Sequence, residues 1–238
     1  MDGDEVQQLR VTAHEGGDRF IGRLRRVGLS EHSLQLVGGA LVREVGVGTA
    51  GAAALARECR RRLDARQWDG DEELSAALAG VLGDGPVPLL RPLPVDLEEL
   101  AYVLESQPDY PAGRIDLSNG DVLPGSAFEY LVETGELPGE DTDDFDPDRW
   151  LYIDSLGSRS AYRDMEWFID QQADEHLRDR LDRAISGRGA FRHFRDVLEQ
   201  VGLLEQWHEI ENDSQRGRAR QWLADEGYAP APQGPDPG

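Results

Sequence analysis

Apolar residues recur at helical spacing through most of the chain. Phe20, Ile21 and Leu24 mark one short face, and Leu34, Leu36, Val37, Leu41 and Val42 mark a second. Spacings of three, four and seven residues put side chains on one side of a helix. Gly38-Gly39 interrupts the second face, either as a loop or as a place where another helix can cross closely. From Ala50 to Trp68 the chain is rich in Ala, Leu and Arg, a composition that predicts a long helix. Asp69-Gly70-Asp71 stops it and offers an N-cap to a further helix, on which Leu74, Ala77, Leu78 and Val81 recur. Residues 1–83 therefore read as a helical N-terminal domain.

The pattern then changes. Pro86, Pro88, Pro92 and Pro94 fall within a dozen residues, and proline removes an amide donor while restricting its predecessor. Residues 84–94 read as a linker. Asp96 is placed to cap a helix through Leu97, Leu100, Ala101 and Leu104. Between Arg114 and Leu123 apolar and polar residues alternate on either side of Asn119-Gly120, which predicts a β-hairpin with a two-residue turn. Trp150-Leu-Tyr-Ile153 predicts a third strand, because two strands alone are marginal in water. Helical periodicity returns in Ala161, Met165, Phe168 and Ile169, then in Leu177, Leu181, Ala184 and Ile185. Phe191, Phe194, Leu198 and Val201 continue it, and Trp207, Ala219, Trp222 and Leu223 belong to the last helices. The expected fold class is α+β, mostly α. A small three-stranded antiparallel sheet sits in a helical C-terminal domain, residues 95–228, and residues 229–238 form a disordered tail.

From Trp150 onward the order of blocks carries a resemblance. A strand leads to Ser155 and Ser158, then to Tyr162-Arg-Asp-Met-Glu-Trp-Phe-Ile169 and Ala184-Ile-Ser-Gly-Arg-Gly-Ala-Phe-Arg-His-Phe-Arg-Asp-Val-Leu198. Trp207 and Ala219-Arg-Gln-Trp-Leu-Ala-Asp-Glu-Gly227 complete the set. This resembles the bacterial uncharacterised protein family 0158, over roughly residues 93–228, with Gly-Arg-Gly-Ala-Phe-Arg as its most distinctive block. The N-terminal helices resemble an extension of actinobacterial members. The chain departs from the pattern at His193, where Arg is expected, and at His208, where an aromatic is expected. The resemblance implies the fold and a bacterial origin; it supplies no catalytic residue and no ligand.

Charge narrows the chemistry. The net charge is −22, and all 25 basic residues are arginine. So acidic a chain repels phosphate overall, which argues against broad contact with nucleic acid or anionic membrane. No apolar run approaches the roughly 20 residues that span a bilayer. The start, MDGDEVQQLR, carries acids where a signal peptide carries positive charge, so a cytoplasmic location is expected. Cys59 is the only cysteine and reads as a small apolar helix residue, although Arg57, Arg60, Arg61 and Arg62 flank it. A phosphate-binding loop of the G-x-x-x-x-G-K-[ST] type requires a lysine, and the five histidines are scattered without a zinc spacing. No catalytic residue, cofactor or metal is expected.

Two charged segments remain. Glu140–Asp148 places Asp144, Asp146 and Asp148 like the start of a calcium loop, but Arg149 and Ser155 stand where the turn glycine and closing glutamate belong. A solvated charge run is the better reading. Arg188, Arg192 and Arg195 project within about 60° of one another on an ideal helix. Asp196 and Glu199 stand four residues after Arg192 and Arg195, so internal ion pairs account for the block. The alternative is an anion site formed with Arg159, Tyr162 and Arg163. Three functions follow. The leading one is a non-enzymatic acidic binding or regulatory module acting on a basic protein partner. The second is an enzyme or sensor for a phosphorylated small molecule at the arginine cluster. The third is a nucleic-acid mimic.

Overall fold

The computed structural model describes residues 3–106 and 112–231, with side chains from residue 7 onward. Five helices come first: α1 (Gly3–Glu15), α2 (Gly17–Val27), α3 (Leu34–Gly46), α4 (Ala52–Arg66) and α5 (Asp71–Leu82). Their apolar faces close one core around Leu9, Phe20, Leu24, Leu34, Leu41, Leu63 and Leu78. Gly38 lies inside α3, not in a loop. A Cβ there would stand 2.6 Å from Leu74 Cδ2 and 3.2 Å from Cys59 Sγ, so the missing side chain lets α4 and α5 cross α3 closely. Cys59 is fully buried in that crossing. Burial, reinforced by the nearby Asp213 charge, pushes its thiol up to about 12. It is not a nucleophile at neutral pH.

The chain continues through β1 (Arg91–Leu93), α6 (Leu97–Leu104), β2 (Gly113–Asp116), β3 (Val122–Leu123) and α7 (Gly125–Glu133). A single 3-10 turn at Pro147–Arg149 leads into β4 (Trp150–Ile153). The sheet order is β3-β2-β4, with Ile115 opposite both Val122 and Leu151 in antiparallel register. The hairpin turn is longer than the two residues expected. Asp116 O accepts from the amides of Asn119 and Gly120, and Asp116 N donates to Asp121 O. The Asp116 carboxylate sets this turn by accepting from Ser118 N at 2.9 Å and Ser118 Oγ at 2.6 Å. Arg149 Nε also donates to it at 2.9 Å, which ties β4 to the same corner. Arg114, on β2, sets its guanidinium 3.6 Å from the Phe128 ring centre and 4.9 Å from that of Tyr152, holding α7 against the sheet.

β1 pairs in parallel with β5 (Tyr228–Pro230), Arg91 opposite Tyr228 and Leu93 opposite Pro230. The end of the expected linker is therefore a strand, and Ala229 and Pro230 belong to a strand and not to the tail. Composition hid both, since each contains a proline that only an edge position tolerates. Residues 232–238 of the expected tail lie outside the described residues.

Three helices follow: α8 (Arg159–Asp170), α9 (Glu175–Ile185) and α10 (Ala190–Val201). They close on Phe168, Phe194 and Trp207, whose rings meet edge to face at 5.0 to 6.0 Å. Trp207 belongs to α11 (Leu204–Asp225), one unbroken helix of 22 residues. α11 touches α3 and α5 on one side, α6 on another, and α8 and α10 on a third. At the first contact the backbones meet: a Cβ on Gly217 would lie 2.1 Å from Asp69 O, and one on Gly70 2.1 Å from Gly217 O. No described helix is long and apolar enough to cross a membrane.

Candidate functional site

A helix enclosed on three sides buries its polar residues, and buried charges need partners. Asp213 of α11 accepts from Gln35 N at 2.8 Å and from Arg66 Nη1 at 2.6 Å. Arg66 also grips Asp71 with two bonds, Nε to Oδ2 at 2.9 Å and Nη2 to Oδ1 at 2.7 Å. Burial pulls the Arg66 guanidinium down, but the Asp71 bonds and the Asp213 charge outweigh it and hold it above its ordinary range. Gln35 Nε2 donates to Asp71 Oδ1 at 2.9 Å, and its Oε1 accepts from Arg220 Nε at 2.8 Å. Arg220 thus meets an amide directly. Burial draws it down to about 10 although Asp213 pulls the other way. Trp68 lies beneath the Arg66 guanidinium at 4.2 Å and packs edge to face on Trp167 at 4.9 Å. This network fastens α3, α4 and α5 to α11.

One turn away α11 makes a second charged contact. Arg218 Nε donates to Glu105 Oε1 at 2.9 Å, and its Nη1 lies 2.9 Å from Asp164 Oδ2. The cation joins the end of α6 to α8. Glu211 stands beside these carboxylates. Burial first, then the Glu105 charge, pushes its own carboxyl up to about 7.

Where α1 meets α6, α7 and α11 the surface opens into a cavity of about 670 Å³, large enough for a small metabolite. Arg10, Glu98, Tyr102, Ser126, Gln215 and Arg216 stand on its walls. Arg10 Nη2 lies 3.2 Å from Glu98 Oε1, and Arg216 Nη2 donates to the same oxygen. Two guanidiniums share one carboxylate. The Arg216 side chain is only 12% exposed, whereas Glu98 is 43% exposed and Arg10 36%. Burial, then the charge of Arg10, draws Arg216 down to about 10 against the pull of Asp96. Asp96 is itself engaged as the α6 cap, accepting from Glu98 N at 2.7 Å. Tyr102 projects one turn further along α6 and is 74% exposed. Gln215 Nε2 donates to Glu105 Oε2 at 2.8 Å.

A second cavity of about 270 Å³ shares Arg10, Asn212 and Arg216 with the first and adds His32, Glu205, His208 and Glu209. Burial, aided by Arg66, draws His32 down; burial, aided by Arg195, draws His208 down. Both shifts favour the neutral imidazole. The positive charge of the groove therefore sits at Arg10 and Arg216.

The residues singled out in the sequence lie elsewhere. Arg188 precedes α10, Arg192 and Arg195 stand on it, and all three are exposed outside both cavities. Among the described residues neither the Arg192–Asp196 nor the Arg195–Glu199 ion pair closes. Arg159 is exposed, and the exposed Arg163 donates to Ser160 Oγ at 3.1 Å. Tyr162 has a packing role, its hydroxyl donating to Ile185 O at 2.8 Å. Residues 10, 98 and 216 share no local pattern, so only the tertiary fold reveals the cleft.

These features define a mostly helical α+β protein organised on one central, charge-bearing helix. The chain belongs to the Uncharacterised protein family (UPF0158), whose model matches residues 91–234. A curated UPF0158 protein of Pseudomonas aeruginosa is 30% identical over 147 residues, covering 60% of this chain and 89% of that relative. No solved structure gives a significant match. Glu98, Tyr102 and Arg216 fall within the matched region, while Arg10 lies in the N-terminal helices outside it.

Proposed function

We propose that the protein binds a small anionic molecule in the cleft between α1, α6, α7 and α11. One observation carries this reading: in a chain of net charge −22, Arg10 and Arg216 face an open cavity with Glu98 as the one carboxylate that contacts them among the described residues. Isolated arginines in so acidic a protein find carboxylates readily, as Arg66 and Arg218 do. At Arg10 and Arg216 the pairing is incomplete, and the space beside it is large. Distant acids do not cancel this, since charges beyond about 8 Å are largely screened at physiological salt. Guanidinium forks bind phosphate, sulfate and carboxylate oxygens in pairs.

The test is a thermal-shift screen with phosphate, sulfate, nucleoside monophosphates, sugar phosphates and carboxylates. A ligand at a hundred times its Kd stabilises by about 2.7 kcal/mol, which is several degrees for a chain of this size. Arg10→Ala removes that stabilisation and Arg192→Ala keeps it. The opposite result would move the site to α10.

A second reading keeps the expected basic protein partner. It is favoured by the acids of the Glu140–Asp148 run, all of which are exposed. Recovery of a salt-sensitive basic protein, lost when Asp141, Asp143, Asp144 and Asp146 become Asn, supports it.

A further inference from the structure

Glu98 occupies the position that a ligand's anionic group would take. Its Oε1 bridges Arg10 and Arg216, yet the side chain is 43% exposed and its backbone is fixed independently through the Asp96 cap. It can therefore swing into solvent without unwinding α6. This arrangement sets a condition on any ligand, given that the cleft binds anions as proposed above. A free carboxylate replacing Glu98 exchanges one monoanion for another. It gains no charge and must compete with a tethered group whose effective concentration is in the millimolar range or above. A dianion is different. It neutralises both guanidiniums at once, and its several oxygens accept from both forks.

We infer that Glu98 is an internal counter-ion that a ligand must displace, and that the cleft thereby selects dianionic phosphoryl or sulfuryl groups over monocarboxylates. The groups facing this exchange are Arg10 from α1, Asp96 and Glu98 from α6, Arg216 from α11, and Glu105, which is held by Arg218 and Gln215; His32, Glu205, His208, Glu209 and Asp213 line the adjoining cavity that shares Arg10 and Arg216, so sulfate serves as the control for their titration. The pH effect that the inference predicts comes from the ligand's own charge. A phosphate monoester gains its second charge near pH 6, whereas sulfate is a dianion throughout.

The experiment is calorimetry on the full chain, wild type and Glu98→Gln, with phenyl phosphate, sulfate and acetate at pH 5.5 and 7.5. Circular dichroism checks that the variant keeps its helix content. Wild type is expected to bind phenyl phosphate about fourfold more tightly at pH 7.5 than at 5.5, as its dianion fraction rises, to show no such gain with sulfate, and to ignore acetate. Glu98→Gln, which removes the competitor, tightens both dianions by about tenfold or more and admits acetate. If wild type binds acetate as well as sulfate and the substitution changes neither, the counter-ion role is overturned while anion binding stands. If neither protein binds any of the three, the anion-binding reading itself fails.

Discussion

Replacing Asp213 by Ala strikes the contact that holds the first five helices to α11. The Asp213 side chain is 1% exposed and that of Arg66 7%. The substitution removes one of the two carboxylates around a buried guanidinium, and it leaves the Gln35 amide without its acceptor. Breaking a buried ion pair from one side costs about 3–5 kcal/mol. An orphaned buried donor costs about 1–3 kcal/mol, but that penalty overlaps the first because both follow from the same carboxylate. The expected loss is therefore about 3–5 kcal/mol, or roughly 6–20 °C in Tm at 2–4 °C per kcal/mol. Asp213→Asn keeps an oxygen for Gln35 N and loses only the charge, so it falls between wild type and Ala. Differential scanning calorimetry gives the order. Fluorescence follows the junction directly, since Trp68 and Trp167 pack across it. A loss below about 1 kcal/mol for Asp213→Ala, or an Asn variant as unstable as the Ala variant, would refute the claim that this carboxylate pairing secures the helices.

Other substitutions test neighbouring parts of the account. Gly217→Ala places a Cβ 2.1 Å from Asp69 O, and because backbone must move, a loss of several kcal/mol in urea denaturation is expected, with little loss for the uncrowded Gly22→Ala control within α2. Glu211 has its carboxyl raised to about 7, so the folded state holds a proton that the unfolded state has released between pH 4.5 and 7. Stability from this group falls as pH rises through that window and stays low above it. Glu211→Gln should then be neutral below pH 4.5 and stabilising by up to about 2–3 kcal/mol at pH 8, as read from melting curves across pH. Cys59 should resist a thiol reagent in the native protein at pH 7.5 and react fully after denaturation, because its thiol is buried and raised to about 12.

Much of this fold is written in apolar spacing. The faces of α2, α3, α4 and α5, the Asp96 cap and the three-stranded sheet all follow from short-range patterns that one residue's neighbours enforce. α11 does not, because Asp213, Arg218 and Arg220 occupy positions that a buried helix ordinarily fills with apolar side chains. Their partners, Gln35, Arg66, Glu105 and Asp164, come from distant parts of the chain, and no local rule anticipates them. The strands β1 and β5 are short and carry prolines, so alternation had nothing to act on. The cleft was hidden for the same reason as α11. The arginine block on α10 is conspicuous in sequence because its members are close in number. Arg10 and Arg216 are far apart in number, and among the described residues they are joined through Glu98, a contact that no local pattern announces.

The most direct test of the cleft is a crystal structure of the protein soaked in tungstate, a heavy dianion of phosphoryl shape. The account predicts an anomalous peak within hydrogen-bonding distance of both Arg10 and Arg216, with the Glu98 side chain rotated away. A peak beside Arg188, Arg192 or Arg195, with Glu98 still bridging its two guanidiniums, would contradict it.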